Sequence, residues 1–176
     1  MIRPTPQFAA VALMLGTGAL LSAGPSSAAS LQPHAVHPCS PSNVTVRLGA
    51  WQGTAGTFYV PVIFTVKAGT CTLYGVPAIQ PLGGTNHHPV GPVAQNASIG
   101  QMPVLHTVSA GHSVSASIGF GDTGNYPAAR CHAAGVNGIA VTLPSLGATK
   151  YVALSSSVCT ALSSVSTRLI VSGTGG

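Results

Sequence analysis

The chain has 176 residues and a net charge of +5, yet only 4% of its residues are charged: six Lys or Arg against a single acidic residue. That acid, Asp122, cannot form the carboxylate pair used by glycosidases, nor the oxygen-rich shell that calcium and magnesium sites need. Beyond the N-terminal region the cations Arg47, Lys67, Arg130, Lys150 and Arg168 are scattered, which argues against a phosphate-binding footprint and hence against nucleic acid as a partner.

The first element is an export signal. Arg3 precedes an apolar run from Phe8 to Leu21, and the segment ends in small residues through Ser27 and Ala29. The run is shorter than the ~20 residues of a membrane span and has the three-part layout of a cleavable signal peptide. Residues 1–29 are therefore read as the signal, with cleavage after Ala29, and no membrane span is expected. The first cysteine, Cys39, does not directly follow the apolar run, so no lipid anchor is expected either. Residues 30–38 lack any period and read as a flexible lead-in, leaving 39–176 as one domain.

The domain alternates in the manner of strands. Val44, Val46 and Leu48 alternate with Thr45 and Arg47, and after a Gly-rich turn Phe58, Val60, Val62, Phe64 and Val66 share one face of a long strand. Pro61 within it cannot donate to a ladder and signals a bulge or an unpaired stretch. Cys71 to Pro77 reads as a short strand with a turn built in, and Ala78 to Leu82 extends it. Residues 83–103 read as a long surface connection. Strands at 104–108 and 113–120 meet through Ala110 and Gly111, and strands near 135–143, 150–154 and 167–171 complete seven or eight. No later segment keeps a helical period. The expected fold is thus all-β, an antiparallel sandwich.

Four cysteines, Cys39, Cys71, Cys131 and Cys159, lie beyond the signal and form no CxxC pair, so two structural disulfides are expected. Three connectivities are available. Folding the strands at 43–49 and 57–66 about a centre near residue 53 or 54 brings Cys39 near Cys71, and folding 136–143 onto 150–154 brings Cys131 near Cys159. That pairing is the expected one.

Three kinds of chemistry remain to be weighed. A serine hydrolase would need a nucleophile elbow, but Gly111-His-Ser-Val-Ser115 does not close with the required glycine, and a strand of alternating small residues accounts for it. No catalytic residue, no cofactor and no enzymatic activity are therefore expected. Histidine is the most abundant ionisable residue type, and zinc or copper sites favour imidazole. His87, His88 and His132 fall in loops where such a shell could assemble, whereas a chain so poor in charge can also use His simply as surface polarity. Trp51, Tyr74 and Tyr126 flank turns, where exposed rings can stack on sugars or anchor a protein; for Trp51 the plainer role is packing at a strand end.

Several of these features together resemble the exported actinobacterial domains catalogued as domain of unknown function 4232. The shared pattern runs from Cys39 through Gly53 and Gly56, the segment Cys71-Thr-Leu-Tyr-Gly-Val-Pro77, the turn Val108-Ser-Ala-Gly111, Cys131 and Ile139-Ala-Val-Thr-Leu-Pro144 to Cys159. Val66-Lys67 and Ala110 depart from the family's habit of Thr-Asn and Pro. The resemblance implies an immunoglobulin-like sandwich outside the cell and carries over no catalytic residue. The resulting expectation is a secreted, monomeric, non-enzymatic module of the cell envelope, with an envelope polysaccharide or protein as its partner. The alternative is an exported zinc- or copper-binding protein.

Overall fold

The computed structural model describes residues 35–176. The signal expected at 1–29 and the start of the lead-in lie outside the described residues. In chain order the strands are β1 (Val44–Leu48), β2 (Gln52–Thr54), β3 (Thr57–Val66), β4 (Thr70–Leu73), β5 (Ala78–Gly83), β6 (His88–Pro89) and β7 (Gln95–Asn96). They continue as β8 (His106–Ser109), β9 (Ser113–Gly121), β10 (Ala133–Leu143), β11 (Ala148–Cys159), β12 (Val165–Thr167) and β13 (Val171–Ser172). A single four-residue helix, α1 (Ala128–Cys131), precedes β10.

Two larger sheets enclose the core. One runs β1-β3-β9-β12-β7, with β2 also on β3 and β13 also on β9; the other runs β11-β10-β5-β6, and β4 and β8 form a separate pair. Phe64, Val62 and Ile118 from the first sheet join Ile79, Ile139, Val141 and Leu143 from the second in one buried cluster. The alternation that placed Val60, Val62, Phe64 and Val66 on one face is the cause, because only a period of two lets a strand bury every second side chain. The fold is thus all-β, with sheets that are antiparallel except where β7 joins β12 in parallel, packed in two layers and carrying two disulfides.

The number of strands is larger than the expected seven or eight: the described residues hold thirteen. Two elements account for much of the difference. Residues 78–82 do not extend the strand at Cys71; β4 pairs with β8, while β5 pairs with β10 in another sheet. Gly75, at φ +111°, takes a backbone conformation that a side chain resists, and Pro77 lacks an N–H, so the chain leaves one sheet and enters the next between them. The strand expected at 167–171 is likewise two, β12 and β13, laid end to end along β9. β11 continues past Leu154 through three serines because β10 offers it a partner as far as Ala133↔Cys159.

The ordered chain also starts slightly earlier than expected. His37 and Pro38, assigned to the flexible lead-in, are tied to β4: Thr72 N–H donates to His37 O at 2.9 Å and Pro38 bridges Thr72.

Both disulfides join the expected partners, Cys39 with Cys71 and Cys131 with Cys159, over Cα separations of 4.9 and 4.5 Å. The register Val44↔Val66, continued outward, sets Cys39 opposite Cys71, and Ala133↔Cys159 brings Cys131 to its partner just before the hairpin opens. The bonds staple opposite ends of the sandwich. Cys71 lies beyond the Val66 end of β3, whereas Cys159 N–H donates to Ser164 Oγ and Ser164 O accepts from Gly121 N–H at the far end of β9.

The irregularity expected at Pro61 is a bulge. Leu48 pairs with Val62 and Gln52 with Tyr59, so Gly49, Ala50 and Trp51 stand opposite only Val60 and Pro61. Gly49 N–H donates to Pro61 O at 2.8 Å, and a Cβ on Gly49 would stand 2.6 Å from Pro61 Cγ, so the bulge is built around a glycine with no room for a side chain.

Candidate functional site

The bulge decides where Trp51 points. Strict alternation from Leu48, which faces the core, would put residue 51 on the outer face. The extra residue shifts the phase, so Trp51 joins Gly53 and Phe58 on the inner face, and its ring centroid lies 5.5 Å from that of Phe120. Phe58 is the cross-strand partner of Phe120 and lies against Gly53, where a Cβ would stand 3.6 Å from the Phe58 ring. Phe120 is 2% exposed, but Trp51 and Phe58 remain 43% and 49% exposed.

The Phe58 ring stays open because of what faces it. Across the layers β11 presents Ser156 and Ser157, too small to cover an aromatic face, and β10 and β11 slip register between Val136 and Gly138 at the same level. The result is a cavity of about 230 Å³ at the end of the sandwich, lined by Phe58, Phe120, Ser156, Ser157, Thr123 and Asp122. Asp122 ends β9 and caps the turn Thr123–Asn125: its Oδ1 accepts the Gly124 N–H at 2.9 Å. Its own N–H donates to Gly56 O and its carbonyl accepts from Asn125 N–H, so the residue is held from three sides. Chemically, the cavity joins aromatic faces, hydroxyls and the chain's single carboxylate.

The three rings singled out from the sequence do not converge. Trp51 does not line this cavity; it stands beside it, against Phe120 in the cavity wall. Tyr126 packs instead against Gly121, where a Cβ would meet its hydroxyl at 2.6 Å. Tyr74 lies at the opposite end, its N–H donating to Ser145 Oγ at 3.0 Å. Alternation sets Phe58 on the same strand face as Val60 and Val62, and the signal that it is open is its place at the start of β3, just after Gly56.

The histidines are dispersed as well. His87 sits in the turn before β6 at φ +49°, its ring 4.3 Å from that of Tyr151; His88 is exposed on β6; and His132 ends α1 in the left-handed region at φ +50°. Among the described residues, no three His, Cys, Asp or Glu side chains are placed to hold a metal ion. A larger hollow of about 700 Å³ runs along β8 and includes His106 and His112. There His106 is committed to the fold: its two ring nitrogens meet Ser172 Oγ at 3.2 Å and Ile170 O at 3.1 Å.

The molecule is therefore a two-layer, disulfide-linked β domain with an aromatic cavity at one end. It belongs to the family described as domain of unknown function (DUF4232), whose pattern matches residues 39–174. No curated protein and no solved structure matches the chain. Among the described residues, no helix is long and apolar enough to cross a membrane.

Proposed function

We propose that the domain is a secreted, non-enzymatic recognition module of the cell envelope that takes its ligand at the Trp51–Phe58 end. The observation that carries this reading is the pair of exposed aromatic side chains at one end of the sandwich, Phe58 opening into a cavity lined by serines and Trp51 beside it against Phe120. Exposed aromatic area beside hydroxyls and a carboxylate is the composition of a binding surface, and it costs stability where it serves no contact. Two disulfides in a domain with so few charges support an oxidising, extracellular setting.

Isolated envelope material tests the reading directly. The oxidised domain should co-sediment with it, and Phe58→Ala should reduce the bound fraction while its melting temperature stays close to the parent's, since half of that side chain is already in water. Equal sedimentation of both proteins, or none of either, would remove the cavity from the function.

A further inference from the structure

We infer that the end cavity binds an alkylammonium group, with Phe58 supplying the ring face in its wall, Trp51 a second exposed ring at its margin beyond Phe120, and Asp122 the counter-charge. The inference rests on the recognition reading and names the ligand chemistry of that site. Three observations converge on it. Asp122 is the chain's only carboxylate side chain, and it lies in the wall of a cavity that, among the described residues, no Lys, Arg or His lines. Its Oδ1 is occupied by the capping hydrogen bond to Gly124, and the structure gives its Oδ2 no hydrogen bond among the described residues, so one oxygen is left for a ligand. Beside it stand the exposed Phe58 and, across Phe120, the exposed Trp51, whose ring faces attract cations through their quadrupole.

Charge complementarity decides against an anion. Beyond the signal the chain carries Arg47, Lys67, Arg130, Lys150 and Arg168 against Asp122, and this cavity is lined by the one acid and by none of those cations. A neutral sugar would use the hydroxyls of Ser156, Ser157 and Thr123 and could donate a hydroxyl to Asp122 Oδ2, but it would leave the charge of the carboxylate uncompensated. A poorly hydrated ammonium uses both the rings and the charge.

The test uses choline and N-acetyl-lysinamide as probes and 3,3-dimethylbutanol as the neutral shape match of choline. Trp51 is the only tryptophan in the chain, so the emission comes from one ring, which stands against Phe120 in the cavity wall. Titrated into the folded, oxidised protein, at least one cationic probe should give a saturable change in the range up to about 100 mM, and the neutral analogue should bind about fivefold more weakly or not at all. Asp122→Asn retains an oxygen to cap Gly124, so it should melt like the parent and lose about fivefold in affinity for the cation. The idea fails if neither cation saturates, if the butanol binds equally well, or if Asp122→Asn leaves cation binding unchanged. Co-sedimentation with envelope that persists in Asp122→Asn but is lost in Phe58→Ala would sink the ammonium assignment and leave the recognition reading standing.

Discussion

At the scale of single residues, Asp122 has an observed role in the fold and a proposed one toward a ligand. Its cap on Gly124 is a local contribution: Asp122→Ala should lower stability by about 1 kcal/mol, and Asp122→Asn should recover most of it, as read by thermal melting. In the sequence Asp122 could be weighed only as a solitary acid, insufficient for a carboxylate pair or an oxygen-rich metal shell. Its place in the wall of an aromatic cavity depends on where β9 ends relative to Ser156 and Ser157, which is a matter of packing between layers. Phe58 was hidden for the same reason. Alternation assigns it correctly to the inner face, but what lies opposite that face comes from a strand far along the chain, and no local pattern reports it. Trp51 was visible as a turn-flanking aromatic, whereas Tyr74 and Tyr126, equally visible, are held elsewhere by Ser145 and Gly121.

At the scale of elements, the readings that rested on counting along one hairpin agree with the structure. Cysteine pairing follows from register, and the bulge at Pro61 follows from a missing N–H, both of which are local properties. The change of sheet between β4 and β5 was not legible, because Gly75 and Pro77 announce a turn without saying which neighbour the next strand will find. Gly75 nonetheless carries the crossing. At φ +111° a Cβ is strained wherever it has room, and here it would also contact the Pro144 ring at 3.5 Å. Gly75→Ala should therefore cost about 1–3 kcal/mol in urea unfolding, with the disulfides intact. A result within a few tenths of the parent would show that the crossing tolerates an ordinary residue.

At the scale of the whole molecule, two layers share one core and a disulfide closes each end. Replacing both Cys131 and Cys159 by Ser should lower stability by about 3 kcal/mol in the chain-entropy picture. Hydrogen exchange should then speed up first in the Ser155–Cys159 half of β11, beside the aromatic cavity, while β3 and β9 stay protected. The two covalent loops, 39–71 and 131–159, do not overlap, and every residue from Thr72 to Arg130 lies outside both. That interval contains the exposed stretch with Ile99, Met102, Val104 and Leu105. A protease that cuts once within that stretch would leave two polypeptides held together only by the shared core and the strand ladders, so they part on denaturation without any reductant. A cut inside either loop would leave a single covalent molecule.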